Sequence, residues 1–496
     1  MGLAIVYSRA QHGMHAPLVT VEVHLSGGLP SFSIVGLPET TVKESKHRVR
    51  SAIINSGFTF PVSRITVNLA PADLPKEGSR FDLPIALGIL SASKQIKSND
   101  LLDYEFAGEL SLDGELRSAY GMLPFALQTK QSKRRLIIPH ENAKEAGLSK
   151  ADIFPAKHLL QVCAHLNERE SLAAYQDHQE LDETSFSGDL SEIKGQAVAK
   201  RALIIAAAGE HNLLLIGPPG SGKTMLASRF LSLLPDLSEE EALEVAAVRS
   251  LSHHSIDVKR WRVRPFRHPH HSASAVALIG GSTPPKPGEI SLAHNGVLFL
   301  DEFPEFNRSV LESLREPLES GSVTISRAAY QSEFPARFQL IAAMNPCPCG
   351  FAGDVKEDCR CSSDQVKRYQ NKISGPMLDR IDMHVEMPRM SYSDFSNAKP
   401  ENNTKDLVSR IKNAREKQLQ RQQCLNSHLS NKSLEAVCEL DQKTRQFFHD
   451  SCEKLGFSLR AYHRILKVAR TIADLSDENT VGRATLSQAM SFRRLR

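Results

Sequence analysis

The sequence predicts an α/β fold in which two successive α/β regions precede a helical C-terminal region. From residue 1 to about 165, short apolar runs alternate with segments of helical periodicity. Three apolar runs beyond residue 210 are short and lack polar alternation, as buried strands of a parallel sheet do. From residue 391 onwards the periodicity is helical. A chain of 496 residues has room for about three such units.

The first region, residues 1–165, shows both kinds of period. Residues 166–186 are polar and acidic, which is typical of a linker. We therefore place the second α/β region at residues 187–390 and the helical region at residues 391–496. In the first region we expect strands at Leu18–Leu25, Ser33–Val35, Ile65–Leu69 and Arg135–Pro139, and helices at Thr41–Asn55 and Asp82–Ser93.

Residues 217–224 read Gly-Pro-Pro-Gly-Ser-Gly-Lys-Thr, a full match to the phosphate-binding P-loop pattern. The apolar run 212–216 before it predicts a buried strand, and residues 225–231 after it have helical periodicity. A strand, a glycine-rich loop and a helix in this order aim backbone N–H groups at a polyphosphate. We expect Lys223 to reach the β- and γ-phosphates and the Thr224 hydroxyl to bind Mg²⁺. The residues predicted to contact the nucleotide are Gly217, Pro218, Pro219, Gly220, Ser221, Gly222, Lys223, Thr224 and Met225.

Two further apolar runs end in polar residues that would complete such a site. Residues 297–300 are followed by Asp301 and Glu302. We expect Asp301 to hold the Mg²⁺ shell and Glu302 to polarise the attacking water, because hydrolysis of ATP depends on an oriented nucleophile. Residues 340–344 are followed by Asn345, whose amide can sense the γ-phosphate or position water. Without the P-loop, Asp301 and Glu302 would indicate only a solvated helix start.

An arginine, Arg380, lies just before the last strand-like run of the second region, residues 383–386. In ring ATPases an arginine at this place projects into the nucleotide site of the neighbouring subunit. Such a finger stabilises charge in the transition state, which is worth about 10³–10⁵ in rate in GTPases. The alternative is a surface ion pair of Arg380 with Asp379 or Asp382.

Longer segments around these motifs resemble one known family, the magnesium-chelatase-like AAA+ ATPases of the YifB/ComM type. The segments are Ile193-Lys194-Gly195-Gln196, Arg264-Pro265-Phe266-Arg267 and Pro287-Gly288-Glu289-Ile290-Ser291-Leu292-Ala293-His294-Asn295-Gly296. The likeness covers almost the whole chain. It implies a hexameric ring ATPase that uses ATP and Mg²⁺ and acts on DNA. ComM-type members drive branch migration of DNA during natural transformation.

The resemblance also implies roles for single residues. In the helical lid, residues 458–464 resemble the sensor 2 segment, where we prefer Arg460 to Arg464. The alternative for Arg460 is an ordinary arginine on a helix surface. The other matches are Lys223 and Thr224 to Walker A, Asp301 and Glu302 to Walker B, Asn345 to sensor 1 and Arg380 to the finger that acts in trans.

In this family the N-terminal domain has a Lon-protease-like, ribosomal S5 domain 2-like α/β fold. Ser79 lies where Lon enzymes have their serine nucleophile, but a serine–lysine dyad also needs a desolvated lysine. The segment matched to the Gly-Leu-Lys stretch of Lon, residues 120–125, contains no lysine. We therefore expect a structural or assembly module in place of a protease.

Four of the eight cysteines fall within fifteen residues. Two Cys-x-Cys pairs can supply four thiolates to one tetrahedral Zn²⁺. In a cytoplasmic chain a metal is favoured over disulfides. The alternative is a set of reduced thiols in a loop after Asn345. The predicted ligands of a structural zinc are Cys347, Cys349, Cys359 and Cys361.

Residues 259–271 combine basic side chains with the only tryptophan of the chain and contain no acid. Arginines bind phosphates, and aromatic rings can stack on exposed bases. A histidine-rich metal site and packing between subunits are the alternatives for this segment. Residues 324–327 and 333–337 flank a short turn, which suggests a hairpin directed at DNA. The predicted DNA contacts are Arg262, Arg264, Arg267 and Arg327.

Composition is ordinary for a soluble globular protein, with 41% hydrophobic and 24% charged residues. The net charge of +4 neither requires nor excludes nucleic acid, so any DNA-binding surface must be local. No apolar run approaches the ~20 residues of a membrane span, and the N-terminus lacks the basic segment of a signal peptide. The sequence therefore predicts a cytoplasmic homo-oligomeric motor, a hexamer by resemblance, that moves DNA. A remodelling ATPase for a protein or metal-insertion complex is the alternative, and a Lon-like protease the third.

Overall fold

The structure is a computed structural model, which describes residues 2–97, 100–176, 189–252, 257–283, 285–327, 330–354, 356–390 and 404–493. It contains a seven-stranded mixed sheet, a five-stranded parallel sheet and a C-terminal group of helices. The predicted α/β fold class, with its parallel sheet and helical C-terminal region, is confirmed. Within the described ranges, none of the helices has the length and apolar character that a membrane crossing requires.

The N-terminal region forms the mixed sheet. Its described strands are β1 Gly2–Arg9, β2 Leu18–Ser26, β3 Ser31–Val35, β4 Arg64–Ala70, β5 Tyr104–Phe106, β6 Glu109–Leu110, β7 Leu116–Arg117, β8 Arg135–Pro139 and β9 Ile153–Ala156. The order of the sheet is β3-β4-β2-β1-β5-β8-β9, and β6 pairs with β7 alone. Strand β2 is antiparallel to β1 and β4, whereas the other neighbours are parallel. All four strands predicted for this region are present.

Helices α1, α2 and α5 pack on one face of this sheet, and α3 and α4 pack on the other face beside β8. In β2, Val19, Val21 and Val23 are fully buried while the residues between them are partly exposed, as expected for a strand with one face on a core. Helix α2 is buried along its whole length. The helices of the region are α1 Thr40–Asn55, α2 Asp82–Ala92, α3 Met122–Gln131, α4 Ala143–Gly147 and α5 Leu159–Leu166.

The first residues of the predicted linker, residues 166–186, contact the mixed sheet. Leu166 is buried at the end of α5, and the Tyr175 amide donates a hydrogen bond of 2.8 Å to the carbonyl of Ile153 in β9. Leu172 also packs on the core of the sheet. These apolar residues attach the segment to the first region as far as Tyr175, although its composition is polar. Residues 177–186 lie outside the described part of the chain.

The second region forms the parallel sheet. Its strands are β10 Leu213–Ile216, β11 Phe266–Arg267, β12 Gly280–Gly281, β13 Lys286–Pro287, β14 Gly296–Leu300, β15 Ser322–Arg327, β16 Tyr330–Pro335, β17 Phe338–Met344 and β18 Met383–Glu386. Five of them pair in the order β11-β14-β17-β10-β18, and all these pairs are parallel. Strands β10, β14 and β17 are buried at every position, which explains their continuous apolar sequence.

The register of the sheet brings three strand ends together. Ile216 is paired with Met344, and Leu300 is paired with Ala342. The P-loop, Asp301 and Asn345 each follow one of these strands, so they lie side by side at the carboxyl edge of the sheet. Ligands of open α/β sheets bind at this edge.

Helices and two small hairpins surround the parallel sheet. Strands β15 and β16 are antiparallel and form the hairpin suggested by the sequence, and β12 pairs with β13 in a second one. The hairpins touch, because a side chain at Gly280 would lie 2.7 Å from Ile325 Cδ1. The helices are α6 Ala197–Gly209, α7 Lys223–Arg229, α8 Glu239–Ser250, α9 Ala275–Ile279, α10 Glu289–Leu292, α11 Arg308–Ser313, α12 Pro317–Ser320, α13 Ser363–Gln370 and α14 Gly375–Leu378.

The two α/β regions share an apolar interface. Leu123 and Leu148 of the first region pack with Val245 and Trp261 of the second. At its edge, the Ser250 hydroxyl donates to the Glu145 carboxylate. Trp261 is 8% exposed, so the tryptophan belongs to this interface and does not present a ring for stacking on bases.

The C-terminal helices dock at the amino ends of strands β10 and β18, opposite the P-loop. Asp382 lies at the centre of this contact. Its carboxylate accepts a hydrogen bond of 2.8 Å from the backbone amide of Asn212 and forms an ion pair with Arg464. His211 bridges to the Thr471 hydroxyl at 2.7 Å. The helices of this region are α15 Thr404–Gln422, α16 Asn431–Val437, α17 Gln442–Leu455, α18 Leu459–Leu475 and α19 Arg483–Ser491.

Candidate nucleotide site

The P-loop connects β10 to α7 and places Lys223 at the first position of the helix. The Lys223 ammonium donates hydrogen bonds to the carbonyls of Gly217 and Pro218, at 2.7 and 3.0 Å, and to Asn345 Oδ1 at 3.2 Å. Burial lowers the pKa of Lys223, although the carboxylate of Asp301 opposes this. The contact with Asn345 joins two of the predicted site residues directly.

A hydroxyl and a carboxylate meet beside the P-loop. Thr224 Oγ1 donates a hydrogen bond of 2.6 Å to Asp301 Oδ2. The backbone amide of Glu302 donates to the other oxygen of Asp301, at 2.9 Å. Hydroxyl and carboxylate oxygens are the hard ligands that Mg²⁺ prefers. Thr224 and Asp301 therefore fit a Mg²⁺ bound together with nucleotide phosphates.

Glu302 has a partner that the sequence did not reveal. His271 Nδ1 lies 2.8 Å from Glu302 Oε2, and both side chains are partly exposed. Glu302 has φ of 51°, in the left-handed region, which only a minority of residues other than glycine adopt. From sequence, His271 belonged to a basic segment assigned to DNA, metal or subunit packing. Its position just after β11 at the same sheet edge was the available signal.

Arg380 is held inside its own chain. Its side chain is 8% exposed and lies 2.6 Å from Glu319 Oε1. It also donates to the carbonyls of Arg315 and Pro376, at 3.2 and 2.7 Å. The expected alternative partners are engaged elsewhere, since Asp379 faces Arg493 at 3.6 Å and Asp382 pairs with Arg464. Arg380 lines an open cavity of about 510 Å³ together with Arg315 and Glu319.

The two sensor 2 candidates differ in their surroundings. Arg464 forms an ion pair with the buried Asp382, at the strand ends opposite the P-loop. Arg460 lies exposed in the first turn of α18. Arg464 is thus engaged by Asp382, and Arg460 stays the preferred prediction for sensor 2.

The four clustered cysteines converge in space. The Sγ atoms of Cys347 and Cys349 are 3.3 Å apart, and Cys359 Sγ lies 3.7 and 3.6 Å from them. With Cys361 included, all four sulfurs fall within 4.8 Å of one another. Four thiolates at ~2.3 Å from a tetrahedral Zn²⁺ are separated by about 3.8 Å, whereas a disulfide needs about 2.05 Å. The arrangement fits a metal site and does not fit disulfides.

Two of the predicted DNA contacts are engaged within the chain. Arg264 is nearly buried, because its guanidinium donates to the carbonyls of Pro235 and Asn295, both at 2.7 Å. Arg267 makes a bidentate pair with Glu289, at 2.6 and 2.7 Å. Both arginines thus help to position the chain around β11, and their predicted contact with DNA stays a prediction.

The remaining predicted contacts are less constrained. Arg262 is 40% exposed and lies 3.8 Å from Glu239. Arg327 is the last residue of β15, at the end of the hairpin, and its side chain lies outside the part described. The second hairpin, formed by β12 and β13, was missed from sequence, although the pair Gly280-Gly281 was a local signal for it.

The N-terminal Ser79 also has a definite partner. Its hydroxyl donates to the carboxylate of Glu109. Lys76, close to Ser79 in sequence, is buried, and its ammonium donates a hydrogen bond to the carbonyl of Pro71. Burial lowers the pKa of Lys76. The serine is thus paired with an acid, and this arrangement gives no support to a serine–lysine dyad.

Comparison with known proteins covers nearly the whole chain. Three family models match: "Magnesium chelatase, subunit ChlI" at residues 189–395, "Subunit ChlI of Mg-chelatase" at residues 21–142 and "Magnesium chelatase, subunit ChlI C-terminal" at residues 401–493. The competence protein ComM of Haemophilus influenzae is 52% identical over 499 residues, covering 99% of this chain and 98% of that protein. YifB of Escherichia coli is 49% identical over 496 residues, covering 99% and 97%. A magnesium-chelatase 67 kDa subunit of Chlorobaculum tepidum is 23% identical over 158 residues, covering 32% and 23%.

Proposed function

The chain belongs to the magnesium-chelatase-like AAA+ ATPases of the ComM and YifB type, and on this premise we propose that it is an ATP-driven ring motor acting on DNA. The observation that most directly supports the proposed binding and hydrolysis of ATP is the contact between Thr224 and Asp301 beside Lys223. In this proposal Lys223 neutralises the β- and γ-phosphates, Thr224 and Asp301 hold Mg²⁺, and Mg²⁺ offsets charge on the phosphates. Glu302 orients the attacking water, and Asn345 positions the γ-phosphate.

We propose a homohexamer in which Arg380 reaches the nucleotide of the neighbouring subunit. In the conformation described, its guanidinium is paired with Glu319. Glu319 is 56% exposed, whereas Arg380 is 8% exposed and also bonds to two backbone carbonyls, so the guanidinium must leave these partners to reach a phosphate. Arg460, exposed on α18, is the second arginine proposed to act on nucleotide.

DNA is the proposed substrate, and the paired hairpins are its proposed contact. The hairpin β15–β16 ends in Arg327 and packs against β12–β13. An arginine at a hairpin end can follow a phosphate backbone without reading bases, so we expect weak sequence preference. Because ComM is named a competence protein, we propose that the chain acts as a branch-migration helicase in natural transformation, in the cytoplasm.

The proposed cofactors are ATP, Mg²⁺ and a structural Zn²⁺ at the four cysteines. The alternative function is remodelling of a protein or of a metal-insertion complex. Two findings favour it: the matching family models describe magnesium chelatase, and two of the four predicted DNA arginines face inwards.

The deciding experiment measures ATP hydrolysis without DNA and with single-stranded, duplex and branched DNA. A DNA motor hydrolyses ATP faster with DNA and displaces a branched junction only with ATP and Mg²⁺. Lys223→Ala should lose nucleotide binding, whereas Glu302→Gln should bind ATP and stall. ATP hydrolysis that no DNA structure stimulates would favour the remodelling alternative.

A further inference from the structure

The cysteine loop, residues 347–361, touches the P-loop. Gly350 has φ of +89°, and a Cβ at this position would lie 2.6 Å from Pro219 Cδ. The same Cβ would lie 3.9 Å from Asn345 Cγ. The turn that follows Cys349 is therefore packed directly on the phosphate-binding loop and beside the sensor amide. No side chain larger than hydrogen fits there without moving one of the two loops.

The loop is fixed to the nucleotide site at both ends. It begins two residues after Asn345, whose amide contacts Lys223, and ends just before α13. At the end of α13, Gln370 Nε2 donates to the carbonyl of Pro346 at 3.3 Å. The next residues tie back to the segment after Glu302, because Lys372 lies 3.0 Å from Glu305.

A third attachment comes from the segment that follows β18. Arg389 lies 2.9 Å from Glu357 Oε1, in the stretch between the two cysteine pairs, and its guanidinium stacks 5.5 Å from the Phe351 ring. The carbonyl of the preceding Pro388 accepts a hydrogen bond of 2.8 Å from Gln196, which also donates to Ser221 of the P-loop at 3.3 Å. The cysteine loop and the P-loop thus share the same supports.

We propose that Zn²⁺ bound by Cys347, Cys349, Cys359 and Cys361 holds this loop as a wall of the nucleotide site, so that occupancy of the metal site sets the affinity for ATP. The inference rests on the proposed function, because it takes the P-loop to bind ATP. No helix or strand is present among the described residues of this loop, so ordering its backbone costs conformational entropy that hydrogen bonds of a helix or sheet do not offset. Four thiolate bonds fix its ends and so fix the position of Gly350 against Pro219.

Two glycine substitutions distinguish the effect of the loop's packing against the P-loop from the effect of zinc binding. Gly350 and Gly353 lie in the same loop, and both have positive φ, +89° and +79°. A Cβ at Gly353 would meet nothing within 4 Å, whereas at Gly350 it would meet Pro219. Gly350→Ala should retain about one Zn²⁺ per chain and bind a fluorescent ATP analogue about tenfold more weakly, since the wall is displaced. Gly353→Ala carries the same backbone strain and should resemble the wild type in both measurements.

Removing zinc from the full-length protein tests whether the bound metal is needed for ATP affinity. Freshly prepared, reduced wild type should contain about one zinc per chain. A chelator, or Cys361→Ser, should weaken ATP binding, and added Zn²⁺ should restore it only in the wild type. Circular dichroism checks that the variants stay folded. If the freshly prepared wild type contains no zinc, the proposed metal site is wrong. If Gly350→Ala and Gly353→Ala bind ATP equally well, the cysteine loop is not a wall of the nucleotide site. A zinc-loaded wild type that binds no ATP would instead refute the proposed function.

Discussion

His271 Nδ1 lies 2.8 Å from Glu302 Oε2, so the carboxylate expected to orient water is already engaged by a side chain from a different segment of the same sheet edge. Thirty residues separate the two along the chain, and β11 and β14, which precede them, are neighbours in the sheet. The short distance to His271 restricts the orientation of the Glu302 carboxylate. Since we propose that Glu302 orients the attacking water, we infer that His271 helps to position that water.

His271→Ala should reduce ATP turnover by about tenfold while leaving ATP affinity unchanged, because orientation of Glu302 matters in the transition state and not in ground-state binding. Steady-state kcat and equilibrium binding of nucleotide measure the two effects. His270→Ala is the matched control, since the His270 ring pairs with Ser272 at 2.8 Å. If both variants keep the wild-type kcat, His271 has no part in positioning Glu302.

Arg380→Ala should bind ATP normally and hydrolyse it about 10³-fold more slowly, as expected for loss of a finger. Glu319→Gln removes the acidic partner and keeps the arginine, so it should retain hydrolysis. Mixed oligomers of Arg380→Ala and Lys223→Ala chains should recover some turnover, because one interface then has both an intact P-loop and an intact finger. No recovery from verified mixed oligomers would assign Arg380 a structural role.

Arg327→Ala should weaken DNA binding similarly for all sequences and flatten its salt dependence by about 0.9 in log–log slope for each duplex phosphate released. Arg264→Ala should instead lower the melting temperature and leave that slope unchanged, because Arg264 bonds to two backbone carbonyls of its own chain. DNA titrations at several salt concentrations compare the two variants. The opposite pattern would restore Arg264 as the DNA contact.

Asp382 should make docking of the C-terminal helices sensitive to acid. Burial would raise the pKa of Asp382, but Arg464, His211 and the Asn212 amide outweigh it and hold that pKa well below its usual range. An acid whose pKa is lowered on folding stabilises the fold above its unfolded pKa of about 3.9 and loses that contribution as pH falls below it.

Asp382→Asn should therefore cost about 3–5 kcal/mol at neutral pH, because it leaves Arg464 without its buried partner. Below about pH 4 the difference from wild type should shrink. Thermal unfolding from about pH 7 down to about pH 2, which extends below the unfolded pKa of an aspartate, measures the difference. Asp379→Asn is the control, since Asp379 is 37% exposed and lies 3.6 Å from Arg493. A constant difference at all pH values would show that the charge of Asp382 is not what stabilises docking.

The nucleotide site was predictable because its signals are local. An apolar run followed by the P-loop or by Asp301 sets both the strand and the residue at its end. Parallel strands then bring those ends to one edge, as the pairing of Ile216 with Met344 shows. The hairpin β15–β16 followed equally from two short strand patterns around a turn. Each of these predictions needed only the pattern of apolar and polar residues within a window of about ten residues.

Side-chain partners were not predictable in this way. A basic, acid-free stretch of sequence suggested that Arg264 and Arg267 face DNA, but the acids and carbonyls that bind them come from other segments. Trp261 lies in an interface between two regions. The sequence predicted that the two regions are distinct but not that they contact each other. The contacts at the start of the predicted linker are of the same kind, since Leu166 and Tyr175 pack on apolar residues of the first region.

By itself the sequence determined the α/β fold, the P-loop and the acids and amide at the strand ends, because backbone periodicity and short motifs are properties of neighbouring residues. Only the tertiary structure decided which charges pair. It placed Glu302 against His271, Arg380 against Glu319 and the cysteine loop against Pro219. Such contacts depend on how segments tens of residues apart are brought within a few ångströms, and hydrophobic patterning specifies which faces are buried without specifying which polar groups meet there.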